Sequence, residues 1–259
     1  MTLRSQFVNG GGGKPIRTLT YLSGSGTFTP LAANSWVRVR MQAGGGAGGS
    51  ADLGSGAGPY KGGPGGGAGE YLEFTLRIAG SVAYEVGLGG VGIAAGALTP
   101  ASTPGGDTIF GFLRAVGGKV TFNTIGNSGT CAPLGVGGNP CAVPGGTGGP
   151  GLGGTITSSG PGHLPGSIDQ GDGATGPNTA GTSNDGGIHN GGSGGGCSMF
   201  GTGGNGGTGG TGTLSTATNG GGFGSGGGGQ GAATIQANLT KAGDGAPGFL
   251  IIEEFGPQS

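Results

Sequence analysis

The sequence predicts an all-β protein with almost no α-helix, in which an antiparallel β scaffold carries polyglycine II-like helices and long ordered loops. Three observations predict it. Residues 201–212 read GTG-GNG-GTG-GTG, so two of every three positions are glycine and the third is Thr or Asn. An extended helix with three residues per turn has three faces, and this phase makes two of them bare backbone and one polar. Residues 145–154 (GGTGGPGLGG) repeat the phase, with Thr147, Pro150 and Leu152 free for an outer face, and residues 62–69 are a shorter relative. Elsewhere, short runs alternate apolar and polar residues with the period of two that a half-buried strand needs. Beyond Asn123, Gly and Pro interrupt nearly every window before it reaches helix length.

Glycine supplies 78 of 259 residues and proline 15. That approaches the collagen third, but the G-X-Y frame breaks repeatedly and the prolines are too few for a triple helix. Each ordered glycine costs ~0.5–1 kcal/mol more than alanine. Backbones that meet with no side chains between them can offset this with N–H to carbonyl bonds and weak Cα–H to carbonyl contacts. Oligomerisation is a second source of stability for a chain poor in apolar residues.

The formal net charge is −1, and no Lys or Arg lies between Lys119 and Lys241, a stretch holding only Asp169, Asp172 and Asp185 as charged groups. Nucleic-acid binding there is not expected, because a phosphate surface needs clustered cations. Residues 1–13 have no apolar signal-peptide core, and no run approaches the ~20 residues of a membrane span. Synthesis and assembly in a cytoplasm, without membrane insertion, is the expectation. Cys131, Cys141 and Cys197 are odd in number and lack a C-x-x-C spacing. A reducing compartment favours thiols over a Cys131–Cys141 loop disulfide, and a zinc site would need His163 or His189 as a fourth ligand at no recognisable spacing.

In chain order, residues 1–20 form a lead-in whose Arg4, Lys14 and Arg17 serve attachment to an upstream partner, or which is a partly ordered terminus. The run GGGGK at 10–14 is not a phosphate loop, since Val8 holds the first glycine position and Pro15 the Ser/Thr position. A glycine-rich β domain then covers residues 21–255, followed by a tail at 256–259. Residues 26–29 (GTFT) and 36–41 (WVRVRM) predict a β-hairpin, with Trp36, Arg38 and Arg40 on one side and Val37, Val39 and Met41 on the other. After a glycine insertion at 44–69, residues 71–76 predict a strand with Leu72, Phe74 and Leu76 inward. Residues 81–88 predict another, with Val82, Tyr84, Val86 and Leu88 on one face. Residues 108–110 and 113–115 predict short strands around Gly111, and 119–123 a further one, all in one antiparallel scaffold. Residues 126–231 form a glycine-rich excursion too long for an ordinary loop. Residues 234–239 and the apolar run 249–255 return to the sheet.

The pieces GTFT at 26–29, WVRVR at 36–40, the glycine run at 44, YEVGLG at 84–89, GDTIF at 106–110 and GAPGFLIIEE at 245–254 come in a telling order. Over residues 20–255 the chain resembles the glycine-rich domain of bacteriophage tail fibre and tail tip proteins. Tail-fibre adhesins with layered polyglycine II helices are similar to residues 145–231. The resemblance implies a virion tail component, homotrimeric, contacting other tail or baseplate proteins and a bacterial surface receptor, polysaccharide or outer-membrane protein. It also implies that loops between glycine helices meet the host. The chain lacks the long shaft of such fibres, which leaves a purely structural cap, baseplate decoration or head fibre as the alternative.

No enzyme is expected. His163 and His189 lie in Gly/Pro-rich segments with no triad spacing, and Asp169-Gln-Gly-Asp172-Gly lacks the alternating ligands of a calcium loop. No catalytic residue, metal or cofactor is assigned. Matches to G-x-G-x-x-G carry no information at this glycine density. Glycine helices offer little side-chain surface, so recognition falls to the larger residues at their turns and ends: His163, Leu164, Ile168, Ile188, His189, Met199, Phe200 and Phe223. Exposed aromatics stack on sugars or fill partner pockets. The competing assignment buries Met199, Phe200 and Phe223 in a trimer core or sheet interface. A bacterial glycine-repeat surface protein, the third alternative, would need an export signal.

Overall fold

A computed structural model describes residues 14–51, 62–97, 102–120, 195, 198, 200–207, 216–233 and 239–256, with the backbone of 142–143, 181–182 and 188–189. Among them there is no helix. The strands are β1 (Arg17–Tyr21), β2 (Ser25–Phe28), β3 (Ser35–Gln42), β4 (Tyr71–Ile78), β5 (Val82–Glu85), β6 (Thr108–Phe110), β7 (Leu113–Ala115), β8 (Ala142–Val143), β9 (Gly181–Thr182), β10 (Ile188–His189) and β11 (Phe249–Phe255). They build a five-stranded sheet in the order β1-β11-β3-β4-β8, a four-stranded sheet β2-β5-β6-β7, and the pair β9–β10. All pairings are antiparallel.

The two larger sheets form a sandwich. In β3, Val37, Val39 and Met41 are buried while Trp36, Arg38 and Arg40 on the alternate face are half-buried, as the period of two requires. Leu72, Leu250 and Ile252 from the first sheet meet Phe28, Phe110 and Leu113 from the second in one apolar core, with Phe74 and Leu76 packed against it. The expected hairpin between 26–29 and 36–41 does not form. β2 pairs with β5 and β3 with β4 and β11, so the six residues between them carry the chain from one sheet to the other. Crossing lets Phe28 and Val39 meet across the core from opposite sheets instead of lying side by side in one.

Beyond the sandwich the chain changes period. From the same end of their sheets, β3, β5 and β7 run out into glycine-rich rods at 43–51, 86–93 and 116–120, and rods at 62–70, 102–107 and 239–248 run back into β4, β6 and β11. The amides of the 43–51 rod show the geometry. Ala43, Gly46 and Gly49 donate to Glu70, Gly67 and Pro64; Gly44 and Ala47 to Gly106 and Thr103; Gly45 and Gly48 to Ala246 and Gly243. Every third amide thus points at the same neighbour and advances three residues along it. Its carbonyls accept from three others: Gly44 from Gly118, Gly45 from Gly90, and Gly46 and Gly49 from Gly227 and Gln230.

The rod at 43–51 is therefore surrounded by six neighbours, donating to three that run antiparallel and accepting from three that run parallel. This is a threefold backbone lattice, closed around that rod within a single chain. Residues 224–233 repeat the arrangement, bonding to 43–51, 62–70, 201–207, 216–221 and 239–248. The glycine-rich excursion is thus not a separate appendage, because its C-terminal part threads the centre of the lattice begun at residue 43. Outward phases keep side chains: Leu88, Val91 and Ala94 are exposed at three-residue intervals, as is Thr202, with Asn205 half-buried on the same phase.

This period also explains two departures from expectation. β5 ends at Glu85, so Leu88 does not share the inward face of Val86 but stands 66% exposed. Lys119 is not in a strand; it belongs to the rod at 116–120, and its carbonyl accepts from Gly67 at 2.9 Å. The rest of the predicted strand at 119–123, after Val120, lies outside the described residues, as do 234–238 of the predicted strand 234–239.

Side chains splice the two periods where they meet. The buried Gln42 amide donates to the Gly69 carbonyl at 2.8 Å, and the Thr108 hydroxyl donates to Gln42 O at 2.8 Å while accepting from Gly87 N at 3.0 Å. Glu70 accepts from Val116 N at 2.8 Å and Asp107 from Gly117 N at 2.8 Å. Each satisfies a backbone group orphaned between a ladder and a lattice, which would be costly to bury unpaired. Gln230 does the same at the far end, accepting from Ala51 N at 3.0 Å and donating to Thr240 O at 2.7 Å.

Candidate functional site

Phe200 and Phe223, two of the residues expected to face a receptor, converge where the lattice meets the first sheet. A backbone bridge pairs them, and the Ser198 hydroxyl binds the Phe223 carbonyl while accepting from Phe200 N at 3.1 Å. Gly222 and Gly224 flank Phe223 at φ 68° and 71°, left-handed values that glycine adopts without strain. The turn is thereby fixed with both rings over the sheet.

Beneath them, Phe249, Gln42 and Tyr71 lie in one register row on the outer face. The Phe200 ring sits 5.0 Å from that of Phe249, nearly edge-on, and 5.1 Å from that of Tyr71, and the Phe223 ring is 5.4 Å from Phe249. Such edge contacts suit the ring quadrupoles. Phe249 is buried by this arrangement, whereas Phe200 stays 41% exposed.

A charged ladder continues along the same face. The Tyr71 hydroxyl donates to Glu73 at 2.8 Å, Arg38 Nε to Glu73 at 2.7 Å, and Arg40 to Glu253 at 3.2 Å. Burial alone raises the Glu73 carboxyl, but the Tyr71 hydroxyl and the Arg38 and Arg40 guanidiniums outweigh it and hold it below its ordinary range. The Tyr71 hydroxyl is pushed well above its ordinary value, first by burial and then by its bond to Glu73 and that carboxylate's charge. At neutral pH this face presents an ionised carboxylate, fixed guanidiniums and a partly bare aromatic ring, a combination suited to stacking and hydrogen bonding with a polar ligand.

Of the other expected receptor-binding residues, Ile188 and His189 form β10, whose amides and carbonyls pair with β9. His163, Leu164, Ile168 and Met199 lie outside the described residues, as do the three cysteines. Among the expected attachment residues, Arg4 also lies outside them and Lys14 is exposed. Arg17 is engaged internally: its guanidinium pairs with the fully buried Glu254 at 2.5 Å, donates to Thr29 O at 2.8 Å and lies 5.1 Å over the Phe28 ring. Sequence reasoning missed Tyr71, Glu73 and Glu253. Their signal was present in the alternation of β4 and β11, which sets them on the face opposite Leu72 and Ile252.

Sandwich, lattice and aromatic turn together define a glycine-rich all-β protein. The chain belongs to the glycine-rich domain family, whose model matches residues 20–254. Comparison with curated proteins found no match.

Proposed function

We propose that this chain is a non-enzymatic bacteriophage tail protein, of the fibre or tip, that recognises the bacterial surface with side chains carried on a rigid glycine lattice. The observation that supports it most is the polarity of the lattice. Its rods at 43–51, 86–93 and 116–120 leave one end of the sandwich and those at 62–70, 102–107 and 239–248 return to it, parallel and antiparallel as their bonding dictates. Side chains on the outward phases, Leu88, Val91 and Thr202 among them, are thus held on a support with little freedom, so their contacts lose little entropy on binding. The exposed Phe200 ring adds a fixed aromatic anchor where the lattice meets the first sheet. Assembly as a homotrimer on other tail or baseplate proteins would multiply weak contacts to a polysaccharide or outer-membrane protein into useful avidity.

Exchanging residues 145–190 for the corresponding segment of a family member with a different host tests the reading. The exchange must spare the rods at 201–207 and 224–233. A change of host range with assembly preserved is the expected result. Lost assembly, or unchanged host choice, would instead favour a structural cap, baseplate decoration or head fibre.

A further inference from the structure

The sandwich pole opposite the lattice carries an unexplained set of apolar side chains. Phe112 is 82% exposed, Leu31 62% and Ile16 56%, on three separate segments. They share one pole: Ile16 N donates to the Glu254 carbonyl at 2.8 Å and Leu31 N to the Glu254 carboxylate at 2.7 Å. From that segment the Thr29 hydroxyl meets that of Ser81 at 3.0 Å, and two residues on, Ala83 O accepts from Gly111 N, beside Phe112, at 2.9 Å. The turns pass through left-handed residues, Asn34 at φ 62° and Gly111 at φ 59°.

Among the described residues, the exposed charges at this pole are both cations. Lys14 and Arg77 are exposed, and Arg77 Nε reaches only as far as the Asn34 carbonyl, at 3.3 Å. Glu254, whose carboxylate accepts from Leu31 N, is fully buried under Arg17. The described chain enters the sandwich here at Lys14 and leaves it here at Gly256.

We propose that this pole is the docking surface for a different protein, one presenting an apolar groove with a carboxylate rim. The proposal rests on reading the chain as a virion component and identifies the face by which it is held. Phe112, Leu31 and Ile16 are preformed anchors for the groove, and Lys14 and Arg77 meet the rim. A twofold contact with a second copy of this chain fits poorly, because it sets the same surface against itself and brings the cations together. Docked this way, the sandwich directs the lattice away from the partner.

The test is incorporation of plasmid-borne variants into virions lacking the native protein, quantified by mass spectrometry of purified particles. The variants are Leu31→Ser/Phe112→Ser, Lys14→Glu/Arg77→Glu and, as a control on the lattice, Leu88→Ser. Melting and sedimentation of each purified protein verify its folding and size. Wild type and Leu88→Ser are expected at equal occupancy, and both pole variants at least tenfold lower with unchanged melting. Pole variants incorporated like wild type would overturn the proposal while leaving the virion reading intact. Wild type absent from particles would overturn both. A purified oligomer of this chain, dimer or trimer, that Leu31→Ser/Phe112→Ser converts to monomer would overturn it in favour of a contact between copies.

Discussion

Gly45 and Ser225 approach backbone to backbone so closely that a Cβ on Gly45 would collide with the Ser225 carbonyl. Neither residue is in a strand, and 180 positions separate them in sequence. The same collision recurs at Gly48 with Gly228 and at Gly66 with Gly46, so the lattice is a packing of bare backbones.

Gly45→Ala is therefore expected to destabilise the fold by ~1–3 kcal/mol, the usual range for overpacking. Gly80→Ala, where the added methyl meets nothing within 4 Å, is expected to change stability by less than ~0.5 kcal/mol. Denaturant midpoints of the two variants check this. Equal effects would mean that the lattice does not exclude side chains.

How much of this was legible follows from periods. β3 and β11 were readable because alternation of Val37, Val39 and Met41, and the apolar run from Phe249, is what a strand of a sandwich must show. In its described part, 201–207, the phase of 201–212 correctly announced bare faces, with Thr202 outward. Lys119 misled because a rod and a strand are both extended, and a single Val120 beside it satisfies either pattern. The β2–β3 crossing was not readable, since a six-residue link suits a hairpin as well as a passage between sheets. The neighbours of Gly45 were beyond local reading altogether: glycine carries no side chain to declare which glycine it meets. For the same reason Phe200 could be nominated as an exposed ring, but not placed on Phe249 and Tyr71.

Gln230 is expected to secure the far end of the lattice. Gln230→Leu keeps the bulk but strands Ala51 N and Thr240 O, at ~1–3 kcal/mol for each buried unpaired group. Hydrogen exchange should show lost protection at Ala51 with protection at Val39 retained. Protection unchanged at both would contradict the assignment.

The buried Glu70 gives a pH dependence with a definite sign. Burial raises its carboxyl above the ordinary 4.5, more strongly than its bond from Val116 N lowers it, and the Asp107 charge adds to the rise. The folded state then binds its proton more tightly than the unfolded state, so its contribution to stability is fullest below pH 4.5 and is lost as pH rises through the elevated value. Glu70→Gln, which keeps an acceptor for Val116 N, should match wild type below pH 4.5 and exceed it at neutral pH. Urea midpoints at the two pH values decide; a variant less stable at neutral pH would show that the carboxylate charge is itself needed there.

Phe200 is expected to matter more for binding than for folding. Phe200→Ala uncovers part of Phe249 and should cost ~1 kcal/mol, below the ~3–5 typical of a fully buried phenylalanine, while weakening attachment to susceptible cells. Thermal melting and a cell-binding titration read the two effects apart. A large melting loss would make the ring a core residue instead.

Binding of fluorophore-labelled protein to susceptible and resistant bacteria, beside the 145–190 exchange variant and Phe200→Ala, tests the proposed role most directly. The account predicts staining of susceptible cells alone, reduced in Phe200→Ala and redirected or lost in the exchange variant, while both variants sediment as wild type does. Intact, correctly assembled protein that stains no host, or stains susceptible and resistant cells alike, would contradict it.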